Sequence, residues 1–259
     1  MPKSNEVPFT DAQLKIERAR EHIKQFSIYV RQFAEANGHN IRVHSNTNTG
    51  YNALELIPCG AVPPEFMCIV GDAIHNLRSA LDVAMSEIEF ITTGKRTGDM
   101  IFPAYKTGDQ LRRAITKRGL EDKATKRVID YIVESIQPYE TGNGAPIWQL
   151  HRLDIEDKHR LIIPKLQFEW VRNIRYIDET GEEFTVPEWV ITNARRVFYP
   201  TEKRGVQVTH KGHSSVNVLF GKGMPFENKH VFPTLNNIAP VVVRTLLALE
   251  REFAKSQGN

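Results

Sequence analysis

A chain of 259 residues, 41% hydrophobic and 25% charged, has the ordinary composition of a soluble globular protein and is long enough for a substantial core. It has no run of about 18 uninterrupted apolar residues, which argues against a membrane span, and Met-Pro-Lys-Ser-Asn-Glu at its start lacks the apolar core of a secretory signal. Only Cys59 and Cys68 are present, which excludes a disulfide framework and a four-thiolate zinc site, so a reducing cytoplasm is the expected setting. The net charge of +3 is unevenly spread: Lys95 to Arg127 holds ten Lys or Arg against four Asp or Glu. Such a stretch can attract a polyanion such as RNA, and it is equally the signature of a solvated helical surface.

In chain order, Phe9 to Asn37 reads as a long helix with Thr10 or Asp11 as cap; Ile16, Ala19, Ile23, Phe26, Val30 and Phe33 lie three or four apart, and Gly38 ends it. Ile41 to Ser45 and Tyr51 to Ile57 resemble a hairpin around Asn46-Thr-Asn-Thr-Gly50, closed by Pro58 and Gly60. Pro63-Pro64 opens a central helix that runs to about Phe90, on which Ile69, Ile74, Leu77, Leu81, Ala84 and Ile88 form one broad apolar face. Met100-Ile-Phe-Pro103 is a short apolar segment suited to docking on the core. Two helices follow, Asp109 to Lys117 and Glu121 to Ile136, the second ended by Gln137-Pro138. Pro146 then starts another helix through about Arg160. From Lys165 to Phe220 the period changes to two, predicting an antiparallel sheet of four or five strands, and a last helix runs from Thr234 or Pro240 to Lys255. The expected architecture is α+β: one domain over 1–259, a bundle of about four or five helices (9–164 and 233–256) with a β insertion at 165–220.

Two polar clusters stand out against this pattern. On the central helix Asp72, His75, Asn76, Ser79 and Asp82 form a stripe beside the apolar face, with Arg78 three residues after His75 and four before Asp82, so an imidazole and an Arg-Asp pair lie on adjoining turns. The second cluster is His151-Arg-Leu-Asp-Ile-Glu-Asp-Lys-His-Arg160. There Arg152 and His159, seven apart, share a face with Glu156 between them, and His151, Asp154 and Lys158 occupy a neighbouring face. So many ionisable groups in ten residues favour function over a solvated salt-bridge ladder.

His75-Asn-Leu-Arg-Ser-Ala-Leu-Asp82, Ile101-Phe-Pro103, Leu150-His-Arg-Leu and Asp157-Lys-His-Arg160 together resemble an uncharacterised bacterial family whose first motif often continues Leu-Asp-His. In that form the motif, Arg followed after four residues by His on a helix, is similar to the signature of HEPN-type ribonucleases. These are helical bundles that commonly act as dimers and need no metal. Val83 stands here where that histidine would be. The resemblance implies a HEPN-like bundle acting as a metal-independent RNA endonuclease in bacterial defence or stress, or a degenerate relative of one. It implies no cofactor, RNA as substrate, a possible homodimer and a possible neutralising partner protein. The imidazole must come from His159 or His75, with Arg78 and Arg152 as phosphate ligands and Asp72, Asn76, Asp82, His151, Asp154 and Glu156 in support.

Two other readings compete. Asp72-Ala-Ile-His75 and Glu156-Asp-Lys-His159 are carboxylate-x-x-His pairs, the spacing by which helices supply ligands to a di-metal centre. Alternatively the clusters pair across a helix interface and only specify packing, in a non-catalytic RNA-binding or protein-interaction module. No P-loop and no Gly-x-Gly-x-x-Gly fingerprint is present. Lys106-Thr-Gly108 has no accompanying Ser-x-x-Lys, His210 and His213 read as loop residues, and Trp148, Trp170 and Trp189 read as packing residues.

Overall fold

The computed structural model describes residues 9–37, 39–58, 62–159, 162, 164–191 and 197–257. Gly38, Cys59, Gly60 and Arg160, to which the sequence pattern assigned roles, lie outside them. The α-helices are α1 (Thr10–Asn37), α2 (Pro64–Thr93), α3 (Gly108–Lys117), α4 (Leu120–Lys123), α5 (Lys126–Tyr131), α6 (Ala145–His159) and α7 (Val231–Gln257). The strands are β1 (His39–Ser45), β2 (Asn52–Pro58), β3 (Pro164–Ile177), β4 (Glu183–Val190), β5 (Val197–Pro200), β6 (Gln207–His210) and β7 (His213–Phe220). The chain divides into two compact units, Met1–Gln25 with Met67–Ile163 and Phe220–Asn259, and Phe26–Phe66 with Pro164–Leu219.

The first unit is helical. All six residues of the apolar face expected on α2 are buried, Ile74, Leu77, Leu81, Ala84 and Ile88 completely. At about 1.5–3 kcal/mol for each large aliphatic side chain, this face is a principal source of the unit's stability. Gly71 of α2 faces α6: a Cβ there would lie 2.5 Å from a carboxylate oxygen of Asp157, the end of a side chain that would have to turn aside. On α7, Leu235, Ile238, Val242, Leu246, Leu249 and Phe253 recur every three or four residues and are buried. α7 is also, among the described residues, the one helix long and apolar enough by length and composition to cross a membrane, and 39% of its most apolar stretch is buried. The core helix of a globular unit meets the same test.

Arg127 of α5 donates to Glu252 of α7 at 2.8 Å, and Lys255 reaches the same carboxylate at 2.9 Å. These two hydrogen-bonded cations, the Lys255 bond foremost, hold the Glu252 carboxyl down at about 2.

The second unit is built on sheets. β2 lies between β1 and β5 in a three-stranded antiparallel sheet. In a four-stranded sheet β3 pairs with β4 along one edge and with β6 and β7 on the other. One hydrophobic cluster joins Ile41, Leu54 and Leu56 of the first sheet to Val171, Ile174, Val186 and Trp189 of the second. The alternation along β3 slips where Asn173 adopts a left-handed φ of 58°, so that Val171 and Ile174, three apart, are both buried.

The expected bundle of four or five helices with a β insertion is overturned. Among the described residues there are seven α-helices and two antiparallel sheets of three and four strands, so the α+β class stands and the small bundle does not. Two local features account for the difference. The stretch Glu121 to Ile136 is not one helix: Ala124 and Thr125 turn extended (ψ 163° and 143°), and Ile132–Ile136 widens into a π-helical turn whose bond runs from the Gln137 amide to the Ile132 carbonyl. The early hairpin β1–β2 is likewise no appendage, because β5, more than 130 residues later, pairs with β2.

Candidate functional site

The two polar clusters meet across α2 and α6. Arg78 on α2 is 2% exposed, and each of its guanidinium nitrogens donates within the protein. Nη1 donates to Asp82 Oδ1 at 2.6 Å, Nη2 to the Phe102 carbonyl at 2.7 Å and Nε to His151 Nδ1 at 3.2 Å. Asp82 Oδ1 also accepts the Phe102 amide at 2.8 Å, so the segment 100–103 is clamped by both its donor and its acceptor. A buried guanidinium needs this full set of acceptors to repay its lost hydration.

Burial governs the electrostatics here. It pushes the Asp82 carboxyl above its usual range even though Arg78 and the Phe102 amide pull the other way. Burial first, and then the Arg78 charge, hold the His151 imidazole down at about 4. His151 is thus neutral at physiological pH, and its Nδ1 lone pair accepts from Arg78.

One turn earlier on α2, His75 faces outward, its side chain 50% exposed. Its Nδ1 donates to Asp154 Oδ1 at 3.0 Å, and that carboxylate is 4% exposed. Lys158 holds the other oxygen of Asp154 at 2.6 Å. With Nδ1–H committed to the carboxylate, the Nε2 lone pair faces Ser79 Oγ, which lies 3.3 Å away and can donate to it. Asp157 joins the edge of this group; burial, Asp154 and Asp72 all raise its pKa. The arrangement is a half-exposed imidazole with a buried orienting carboxylate behind Nδ1 and the Ser79 hydroxyl at Nε2, the pairing of a base with the group that orients it.

The remaining expected residues are placed differently. Asn76 donates to the backbone carbonyl of Asp72 at 2.8 Å, which caps nothing beyond its own helix. Arg152 pairs with Glu156 at 3.7 Å and lies 5.7 Å from the Trp148 ring centre. His159 is exposed at the end of α6, and among the described residues no hydrogen bond or ion pair joins it to Arg152, Arg78 or His75. The four-ligand metal set Asp72, His75, Glu156 and His159 is not assembled, and among the described residues no group of three or more His, Cys, Asp or Glu is placed to hold a metal ion. The sequence pattern did not single out the Phe102 backbone or Ser79 as site members. Ser79 was visible as part of the polar stripe; a backbone carbonyl leaves no trace in residue identity.

No protein-family model matches the chain, and neither a curated protein nor a solved structure matches it.

Proposed function

We propose that the protein is a metal-independent RNA-cleaving enzyme of the bacterial cytoplasm, or descends from one, with His75 as its general base. The observation that carries this reading is the half-exposed His75 imidazole with its Nδ1 held by the buried Asp154 carboxylate. His75 Nε2 takes the proton of a ribose 2′-hydroxyl, O2′ attacks the adjacent phosphorus, and the 5′-oxygen leaves with a proton from His159 or water, giving a cyclic phosphate. Arg152 and Lys158, both about half exposed, supply positive charge to the phosphate. Arg78 is a positioning residue: with its nitrogens satisfied internally, it locks α2, α6 and the Phe102 segment together.

The test is cleavage of mixed RNA in excess EDTA. Wild type is expected to cleave, and His75→Ala to lose about 10²-fold or more while keeping its far-UV circular dichroism. Undiminished cleavage by His75→Ala would sink the assignment.

A second reading, a non-catalytic RNA-binding or protein-interaction module, draws on the internal saturation of Arg78 and on Val83 at the motif position. It predicts no cleavage in EDTA or with added Mn²⁺, and a loss of stability in Arg78→Ala as the only consequence of disturbing the cluster.

A further inference from the structure

The sheet unit carries a second concave surface. Antiparallel pairing sets Arg42 opposite Glu55 and Glu55 opposite Phe198, and in the next row His44 opposite Ala53 and Ala53 opposite Pro200. Side chains paired in this way share one face. The other face carries Ile41, Leu54 and Leu56 into the core, so these rows lie on the opposite face, where Glu55 is buried between its neighbours while Arg42, His44 and Phe198 are exposed. Ala53, with nothing beyond its Cβ, leaves a gap between larger neighbours.

The gap is the floor of a depression of about 420 Å³ lined by His44, Asn46, Tyr51, Ala53, Phe198 and Glu202. Two large rings stand exposed there, Tyr51 at 48% and Phe198 at 43%. The His44 ring meets Phe198 edge-on at 5.6 Å, and the Arg204 guanidinium lies 5.4 Å from the Tyr51 ring centre. Arg204 also donates to the Thr49 carbonyl at 3.3 Å. Gly50, beside the Arg204 guanidinium, turns the chain here with a left-handed φ of +73° that favours glycine.

The rim is rigidly built. Thr201 Oγ1 donates to the Asn52 carbonyl at 2.6 Å, the Asn52 amide donates to the Lys203 carbonyl at 2.7 Å, and Asn52 Oδ1 accepts the Val206 amide at 2.9 Å. This pins the loop in which Glu202 holds a left-handed φ of 53°, a conformation unfavourable for a side chain with a Cβ.

Exposed aromatic faces beside cations are the means by which proteins stack single-stranded bases, and a depression of a few hundred Å³ suits one base. The carboxylate of Glu202 accepts hydrogen bonds but donates none. It therefore selects a base edge made of donors. Guanine offers N1–H and its exocyclic amine, whereas the corresponding nitrogen of adenine is an acceptor. Arg42 on the same sheet face and Arg204 at the rim provide positive charge for the flanking phosphates.

We propose that this depression binds a guanine base of single-stranded RNA, stacked on Phe198 and Tyr51 and selected by Glu202. The assignment rests on the reading of the protein as one that acts on RNA, but it uses no residue of the α2–α6 site.

The test is fluorescence anisotropy with short, labelled 2′-O-methyl RNAs of GU and AU repeats, which lack the 2′-hydroxyl nucleophile and so survive any cleavage activity. Wild type is expected to bind the GU repeat about tenfold more tightly than the AU repeat. Phe198→Ala should weaken GU binding by about tenfold, and Glu202→Gln should erase the preference. Ala53→Leu, which fills the floor from the outward face, should do the same as Phe198→Ala with the core untouched. Equal binding of the two RNAs by wild type, binding of neither, or wild-type affinity in both Phe198→Ala and Ala53→Leu overturns the proposal. A GU preference that persists while His75→Ala cleaves RNA normally defeats only the catalytic reading. Loss of cleavage in His75→Ala with no GU preference defeats only this one.

Discussion

At the scale of single residues, the meeting of α2 and α6 holds one histidine locked inside, His151 of α6, and one that faces outward, His75 of α2. His151 accepts from Arg78 and is held near a pKa of about 4, against 6.5 when unperturbed. Between these two values the unfolded chain binds a proton that the folded chain refuses, so this residue makes stability rise with pH from about 4 to 6.5 and costs on the order of 3 kcal/mol below that window. Asp82 and Asp157, with raised values, act in the opposite sense, so the effect is read by comparison. In urea unfolding, the rise of stability with pH between about 4 and 6.5 should be smaller in His151→Gln than in wild type; identical profiles would exclude the neutral-acceptor role. Arg78→Ala leaves the Phe102 carbonyl without its donor and the Asp82 carboxylate without its counter-charge and should cost about 3–5 kcal/mol, with Arg78→Lys failing to restore it because a single ammonium cannot reach three divergent acceptors. A urea midpoint unchanged by Arg78→Ala would contradict this account.

At the scale of elements, the contact between α2 and α6 depends on a missing side chain. Replacing a helical glycine by alanine ordinarily gains about 1 kcal/mol in propensity. At Gly71 the new methyl would stand 2.5 Å from the Asp157 carboxylate, which must turn aside to make room, so the cost of moving that carboxylate offsets the gain in propensity. Gly71→Ala is expected to gain less than that roughly 1 kcal/mol, and to gain more when Asp157→Ala is already present. A thermal unfolding double-mutant cycle showing no coupling would contradict a close helix contact at this point.

At the scale of the whole molecule, charge is segregated although its sum is small. Ten cations fall between Lys95 and Arg127, and α3 within this stretch buries Leu111 and Ile115 while Arg112, Arg113 and Lys117 remain exposed. If this stretch contacts RNA, binding should weaken linearly in log–log form with salt, by a slope of about 0.7 for each phosphate neutralised. Charge reversal at Arg112, Arg113 and Lys117 together should lower that slope measurably. An unaltered slope would assign the cations to solvation alone.

Much of the secondary structure was legible in the chain because it follows from local signals: the apolar face of α2, the hairpin turn at 46–50 and the apolar positions of α7, although α7 begins at Val231, ahead of the expected Thr234 or Pro240. What the sequence left undetermined lies in pairings between distant residues. The break of the basic stretch at Ala124 and Thr125 and the π turn at 132–136 depend on how those residues pack, and the partnership of β2 with β5 joins strands far apart in the chain. The candidate site divides in the same way. Residue types and helical spacing singled out His75, Arg78, Asp82, His151 and Asp154 as members of two clusters. Only the tertiary structure decided that Arg78 is spent internally on Asp82, Phe102 and His151 while His75 stays half exposed with Asp154 behind it, because the state of a polar side chain is set by the acceptors and the burial that other elements bring to it.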